Sequence, residues 1–345
     1  MSDSAPLVPR GPLYPGISAR AFQHPADRAA TAALGSIPVI HQVIKRLASM
    51  GLLQSLSQRL LGNAVRLGPG QVGTVWTSHL ACLEALDVES RPALYVVQAP
   101  TLNALTFGSV RPVVLVNSGL VTSGDAEALQ AVLAHEVGHV VCEHSHYMTV
   151  LLVLQLLAAA PLSTLGVLPV RALLLVMLEW YRAAELSGDR ASALVMGDPM
   201  VTCRSLMHMA GGNLPGMSVD AFVGQANEYA SSGSVLGRPS RFLSEILSTH
   251  PIPVRRVTEL SRWVMEGDFD RIRSGSYIRR GQEPPPTEDF KRASAHYQTR
   301  FVEIIESVAG GVQTLSRQVT SWLRSQRFGR DDSGDSEDPG DPGEL

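Results

Sequence analysis

The feature that most constrains this chain is the pattern H-E-x-x-H at His135, Glu136 and His139. In an α-helix, residues four positions apart lie one above the other on the same face, so both histidines can direct their imidazoles at a single metal ion. Glu136 would then stand beside that ion, where a carboxylate can take a proton from a metal-bound water. The pattern therefore predicts a helix that carries part of a metal centre.

The residues around this pattern are uncharged, among them Leu133, Ala134, Val137 and Val140. A helix with such flanks is expected to be buried, and buried polar side chains need partners that offset their loss of hydration. A metal ion would be one such partner. The alternative interpretation is a pair of core histidines that are hydrogen-bonded inside the protein and bind no metal.

A catalytic zinc site has three protein ligands and a water, so a third ligand is needed. The longer pattern H-E-x-x-H-x-x-G-x-x-H would supply it locally, but Cys142 replaces the glycine and Ser145 replaces the last histidine. Further along, Glu185 and Asp189 are four residues apart and would share one helical face. We expect Glu185 to be the third ligand and Asp189 to accept the free ring N–H of a zinc histidine.

Composition limits the class of protein. The 345 residues carry a formal net charge of −3, which excludes a strongly basic nucleic-acid-binding protein. The three cysteines, Cys82, Cys142 and Cys203, have no framework spacing, and the N-terminus has no basic region followed by an apolar run. We therefore expect no disulfides and no signal peptide, and a chain that is cytoplasmic and not secreted.

Strand and helix patterns precede the H-E-x-x-H helix. Apolar residues recur at helical spacing over 37–60 and over 75–86. Runs rich in β-branched residues at 93–98 and 112–117, with a weaker candidate at 101–108, predict a small sheet that leads into that helix. The predicted fold is mainly α, of the α+β kind, with the sheet beside the active helix, as expected of a zincin.

The most apolar segment begins at Met148 and ends at Tyr181. Pro161 and Pro169 divide it into arms of 12 or 13 residues, shorter than the roughly 20 that a membrane-spanning helix needs. A single crossing would also place His139 and a ligand beyond the segment on opposite sides of a membrane, although both must lie about 2 Å from one ion. We expect an apolar helical hairpin that is buried in the core, lies at an oligomer interface or dips shallowly into a bilayer.

The ordered motifs together resemble the HtpX-like and CAAX-prenyl-protease-like family of zinc metallopeptidases. The resemblance rests on His135 to His139, on the apolar hairpin, and on Arg182 followed by Glu185 and Asp189. Two further pieces are similar to family motifs, namely Asn103-Ala104 before the active helix and His250-Pro251 with Arg256 after it. The resemblance covers roughly residues 90–260.

The resemblance implies a gluzincin, in which His135, His139 and Glu185 hold one Zn²⁺ and Glu136 acts as the general base. By position, His250 and Arg256 would lie near the site, where His250 is a candidate for stabilising a tetrahedral oxyanion. Asn103, Arg256 and Asp189 are expected to support the ligands or to position substrate. His144 and His146 are expected to face solvent or to support a ligand, because they lie off the face of His135 and His139.

The expected domain organisation follows from these motifs. It comprises an extended N-terminal segment (1–35), a zinc metallopeptidase domain with N-terminal helices (36–266), a linker (267–290), an amphipathic C-terminal helix (291–328) and a disordered acidic tail (329–345). The stripe of the C-terminal helix is expected to pack on the body of the protein rather than on a membrane or partner.

The predicted function is that of a zinc-dependent metalloendopeptidase, which hydrolyses peptide bonds of a protein or peptide substrate. The alternative is a non-catalytic zinc-stabilised scaffold at a membrane surface or in an oligomer. Further candidate properties are membrane association, with peripheral contact through the segment from Met148 to Tyr181 or through the C-terminal helix, and a homo-oligomer. No nucleic-acid partner is expected.

Overall fold

The computed structural model describes residues 14–108, 111–159, 164–231 and 252–309. The first part of the chain forms α1 (Pro25–Ser36), α2 (Pro38–Ser49), α3 (Leu52–Gly62), β1 (Ala64–Arg66), α4 (Gly73–Ala85), β2 (Ala93–Val97), β3 (Ala104–Phe107), β4 (Val113–Asn117) and α5 (Ser118–Thr122). The second part forms α6 (Ala126–Val141), α7 (Ser145–Ala159), α8 (Thr164–Met196), α9 (Pro199–Gly211), α10 (Val219–Ser231), α11 (Pro253–Met265), α12 (Asp268–Arg273) and α13 (Glu288–Ala309). The predicted mainly α fold of the α+β kind is thus confirmed.

The sheet is mixed, with strand order β1-β2-β4-β3. β2 and β4 are parallel, whereas β1 pairs antiparallel with β2 and β3 pairs antiparallel with β4. β3 therefore lies at one edge. It also lies beside α6, because the Thr106 hydroxyl donates a hydrogen bond to the backbone carbonyl of Glu136 at 3.0 Å. The sheet stands next to the H-E-x-x-H helix, as predicted.

Two apolar clusters meet along α8. One joins the sheet with α4, α6, α9, α11 and the C-terminal part of α8. The other joins α1, α2, α3, α7 and α13 with the N-terminal part of α8. Because α8 is common to both clusters, its middle is fixed from two sides, and this is where Glu185 lies.

The predicted hairpin is present as α7 and α8, but its arms are longer than expected. α7 has 15 residues and α8 has 33 residues, because α8 begins at Thr164 and continues through Pro169. Pro169 is the sixth residue of α8 and removes one backbone hydrogen bond, yet the helix continues past it. The buried residues Met148, Leu154 and Val176 belong to one apolar cluster with residues of α1, α2, α3 and α13, which favours the interpretation of a core hairpin.

Within the described residues, no single helix is long and apolar enough to cross a membrane. α6 and α7 meet the criteria only when taken together, and they meet at an angle of 102°.

The expectation of an extended segment over residues 1–35 is wrong from Pro25 onward, where α1 begins. Pro25 occupies the first helical turn and the ring of His24 accepts a hydrogen bond from the backbone N–H of Ala26 at 3.1 Å. Both features favour a helix start. The alanine-rich sequence that follows then continues it.

The expected linker over 267–290 is also more structured than predicted. It contains α12, and Arg279 forms an isolated β-bridge with Ile17. Arg280 Nη2 lies 2.7 Å from Asp87 Oδ2. Basic side chains that looked like linker composition therefore hold the segment against the N-terminal part of the chain.

The C-terminal helix begins at Glu288 and is described as far as Ala309. Phe301 and Ile305 are buried in the same cluster as α1 and α8, so the apolar stripe packs on the body of the protein. The remainder of the predicted helix and the predicted acidic tail lie outside the described residues.

Candidate metal centre

Helix α6 presents two histidines on one face. It begins after Asp125, whose Oδ1 accepts a hydrogen bond from the backbone N–H of Ala128 at 2.9 Å and so caps the helix. α6 is buried along most of its length. The Nε2 atoms of His135 and His139 are 3.1 Å apart. Both imidazoles therefore face one point, as their spacing predicted.

Glu185 of α8 completes a group of three potential ligands. Its Oε1 lies 3.2 Å from His139 Nε2, and its Oε2 lies 3.6 Å from His135 Nε2. One donor atom from each residue lies within 4.8 Å of the others, as the ligands of one ion must. Two imidazoles and one carboxylate are a donor set that suits a catalytic Zn²⁺ and leaves a fourth position open. The residues present fit this ion.

Two glycines allow α6 and α8 to approach closely. A Cβ atom at Gly188 would lie 2.4 Å from Cε1 of the His135 ring, and a Cβ atom at Gly138 would lie 2.5 Å from that of Ala191. No side chain fits at either position unless its neighbours move, which costs stability in a packed core. The missing side chains let residues from two helices converge on one point.

The side chains of Asp189 and Arg256 contact His135 and Glu185 and hold them in orientation. Asp189 Oδ1 lies 3.2 Å from His135 Nδ1. The Arg256 guanidinium donates to Asp189 through Nε at 2.8 Å and Nη2 at 2.5 Å, and its Nη1 lies 2.9 Å from Glu185 Oε2. A planar fork that engages two carboxylates fixes the orientation of both. Asp189 thus lies within hydrogen-bonding distance of His135 Nδ1, and its role as acceptor of that N–H stays a prediction.

The pKa values of the two histidines are shifted in opposite directions. Burial lowers the pKa of His139 to about 4. Burial also disfavours the charged form of His135, but Glu185 and Asp189 outweigh it and raise the pKa of His135 to about 10. Burial likewise opposes ionisation of Glu185, yet Arg256 and His135 hold its pKa well below the usual range. The buried carboxylates of Glu185 and Asp189 therefore favour a positive charge beside them. A proton on His135 supplies this charge in the metal-free protein, and a divalent cation can supply it instead.

Glu136 lines a cavity beside these three residues. The cavity has a volume of ≈ 30 Å³ and is also lined by Tyr181 and Arg256. Glu136 Oε2 is buried and, within the described residues, has no hydrogen-bond partner. Burial raises the pKa of its carboxyl group. Since an unpaired buried carboxylate oxygen is costly, we expect this atom to contact a water or a substrate.

The other predicted residues fall in different places. Asn103 lines the same cavity, and its Oδ1 accepts a hydrogen bond from the backbone N–H of Ala104 at 2.9 Å. His144 is fully buried and supports a potential ligand, because its Nδ1 lies 2.9 Å from His139 Nδ1. His146 is half-buried. His250 lies outside the described residues, so its predicted role stays a prediction.

Tyr181 is a cavity residue that the sequence analysis did not identify. It precedes Glu185 by one helical turn, lines the cavity and is hydrogen-bonded to Glu185 through its side chain. Burial raises its pKa well above the usual range, so it holds its proton. The spacing of four residues from Glu185 was the available signal, but an aromatic residue at the end of an apolar run also fits a core position.

Comparisons with known proteins agree with this geometry. Residues 75–264 match the model of Peptidase family M48. The chain is 34% identical over 258 residues to "Plastoglobule-localized metallopeptidase 48, chloroplastic" from Arabidopsis thaliana, which covers 73% of this chain and 74% of that protein.

Two more distant relatives are bacterial. The chain is 25% identical over 212 residues to "Protease HtpX homolog" from Helicobacter acinonychis (strain Sheeba), covering 53% of this chain and 64% of that protein. The match to "Protease HtpX homolog" from Helicobacter pylori (strain Shi470) is also 25% identical, over 220 residues, with 54% and 65% covered. The chain thus spans just under two thirds of the length of these two proteins. No solved structure matches the chain.

Proposed function

The chain belongs to peptidase family M48, and from this premise we propose that it is a zinc-dependent endopeptidase. His135, His139 and Glu185 would hold one Zn²⁺, and Glu136 would act as the general base. Membership of the family establishes a metallopeptidase. The identity of the ligands and the base is the proposal.

The observation that carries the proposal is the position of Glu136. Its Oε2 has no hydrogen-bond partner among the described residues, and its side chain lines the cavity next to three convergent donor groups. A metal site that only stabilises a fold has its coordination closed by protein ligands. Here three protein donors leave a position open, and Oε2 of the carboxylate beside it has no hydrogen-bond partner in the described part of the chain. This arrangement favours catalysis over the scaffold alternative.

The chemistry can be divided between the ion and the protein. When bound, Zn²⁺ supplies Lewis-acid chemistry, which polarises a carbonyl group and lets a water lose its proton near neutral pH. Glu136 accepts the proton of the attacking water and delivers it to the amine that leaves. Asp189 and Arg256 hold His135 and Glu185 in place throughout, because their contacts are made by side chains that are themselves buried.

The edge of β3 that has no strand partner among the described residues is the proposed binding surface for the substrate backbone. β3 pairs with β4 on one side, and Ala104, Leu105 and Thr106 line the cavity. An extended peptide can add to a sheet edge through main-chain hydrogen bonds, which require no particular sequence. A peptide bound there would bring a peptide bond to the cavity that contains Glu136.

Location and assembly are proposed from the name of one relative and from the burial of the helices. The Arabidopsis relative is described as localised to plastoglobules. In this chain the inner faces of α7 and α8 are covered by other helices, so peripheral contact is a better proposal than insertion. Cytoplasmic placement, contact through the C-terminal helix and homo-oligomerisation stay predictions.

Removal of the metal tests the proposal. We expect the purified protein to digest an unfolded substrate such as casein, to lose this activity in excess chelator and to regain it when zinc is added back. Restoration matters because a chelator can also unfold a protein, so circular dichroism should be recorded in parallel. Bound zinc without any turnover would favour the scaffold alternative.

A further inference from the structure

A buried chain of three side chains leads from the metal centre to α1. His139 Nδ1 lies 2.9 Å from His144 Nδ1, and His144 Nε2 lies 3.1 Å from Asp27 Oδ2. Asp27 and His144 have no exposed surface, and His139 is 1% exposed. Asp27 lies outside residues 75–264, the range matched by the family model.

We propose that Asp27 is a positioning residue for the metal ligand His139, acting through His144, so that α1 is part of the metal centre. This inference rests on the proposed function, because it takes His139 Nε2 as a zinc ligand. It adds a residue from the N-terminal helix to a site otherwise built from α6, α8 and α11.

The order of donors and acceptors along the chain follows from the chemistry of imidazole. A neutral histidine that binds a metal through Nε2 carries its proton on Nδ1. The Nδ1–H of His139 therefore donates to His144 Nδ1, which must be the acceptor. His144 then carries its own proton on Nε2, and this nitrogen lies 3.1 Å from Asp27 Oδ2. An ionised carboxylate can only accept, so Asp27 selects the tautomer of His144 and thereby that of His139.

The contact between His144 and Asp27 is short, although it is not a straight hydrogen bond. Asp27 acts on His144 mainly through electrostatic attraction. Burial strengthens this attraction because no water screens the two groups. The edge of the His144 ring also packs on Trp180, with ring centroids 5.5 Å apart and planes at 89°. His144 is thus held in orientation from two sides.

Asp27 is itself fixed in its ionised form. Its Oδ2 accepts hydrogen bonds from Ser187 Oγ at 2.6 Å and from Gln23 Nε2 at 2.9 Å, and its Oδ1 accepts one from Thr31 Oγ1 at 3.0 Å. Burial alone would raise the pKa of Asp27, but His144 and these donors outweigh it and lower the pKa to about 2. Ser187 follows Glu185 by two residues on α8. The same carboxylate therefore links α1 to the helix that bears the third ligand.

A second metal ion is the main rival interpretation. Asp27, His144 and Cys142 also offer donor atoms within 4.8 Å of one another. A thiol must lose its proton to bind zinc, and burial holds the pKa of Cys142 well above its usual value. His144 Nδ1 is moreover directed at His139. We therefore interpret Asp27, His144 and Cys142 as support for one metal ion. The number of zinc ions bound per chain distinguishes the one-metal from the two-metal interpretation.

The test compares two Asp→Asn variants of the full chain. In Asp27→Asn we expect zinc affinity, measured by competition with a chromogenic chelator, to fall by about 10–100-fold, the range usual for partners of a metal ligand. The matched control is Asp87→Asn. Asp87 holds the N-terminal part of the chain through the backbone N–H of Gly16 and through Arg280, away from the metal centre. We expect this control to lower thermal stability slightly and to leave zinc affinity unchanged.

A second variant, His144→Phe, keeps an aromatic ring and removes both nitrogens. If Asp27 acts through His144, the double variant should bind zinc no more weakly than the worse of the two single variants. A purely structural role for Asp27 would instead give losses that add.

Three results would overturn the inference: zinc affinity unchanged in Asp27→Asn, additive losses in the double variant, or two zinc ions per wild-type chain. A wild-type chain that binds no zinc would refute the proposed function itself. The two failures are distinguishable. The wild type still binds zinc if only the inference fails, whereas it binds none if the proposed function fails.

Discussion

Glu136→Gln is expected to bind zinc like the wild type and to cleave peptide bonds roughly 10²–10⁴-fold more slowly, the usual contribution of a general base. Glutamine has nearly the same shape as glutamate, so the packing of α6 should persist. An amide cannot accept the proton of the attacking water. Glu136 is not among the three convergent donors, and the metal should therefore stay bound.

The measurement is kcat for digestion of an unfolded substrate, with zinc content determined on the same preparation. Glu127→Gln is the matched control, because Glu127 lies on the same helix, is 54% exposed and pairs with Arg204 at the surface. It should retain wild-type activity. If Glu136→Gln digests the substrate at the wild-type rate, Glu136 is not the base.

Arg256→Met is expected to destabilise the metal-free protein by about 3–5 kcal/mol, the cost of removing one partner from a buried ion pair. Arg256 is 2% exposed and its guanidinium contacts both Asp189 and Glu185. Without it, two buried carboxylates would face each other across His135. Zinc would offset part of this repulsion, so the loss should be smaller in the zinc-bound protein.

Denaturant unfolding with and without zinc measures both effects. Arg262→Met makes the same change on the same helix, but Arg262 is 55% exposed and pairs with Glu259 at the surface. Its effect should stay within about 0.5 kcal/mol. Equal destabilisation by the two variants would show that the contacts of Arg256 with the two carboxylates contribute little.

Much of the candidate site could be predicted because short-range sequence patterns specify it. His135 and His139 are fixed by a spacing of four residues, and Glu185 and Asp189 repeat that spacing on α8. Apolar flanks predicted burial, and the buried span from Ala128 to Val140 agrees. The small sheet was predictable for the same reason, since short β-branched runs are local signals.

Contacts between distant parts of the chain could not be predicted in the same way. Asp27 is one acidic residue in an alanine-rich stretch, and only folding brings it within 3.1 Å of His144. Arg279 and Arg280 looked like linker composition, but Arg279 donates to the backbone carbonyl of Pro15 and Arg280 pairs with Asp87. Pro169 was predicted to divide two helices, because a proline inside a helix and a proline between two helices have the same local sequence signal.

Zinc content is the most direct test of the central claim, that His135, His139 and Glu185 hold one ion. Wild-type protein and Glu185→Ala should be purified identically and analysed by inductively coupled plasma mass spectrometry, with Glu228→Ala as a control at an exposed position. We expect one zinc per chain in the wild type and in the control, and a large loss in Glu185→Ala. A wild type without zinc, or a Glu185→Ala variant that retains it, would contradict the claim.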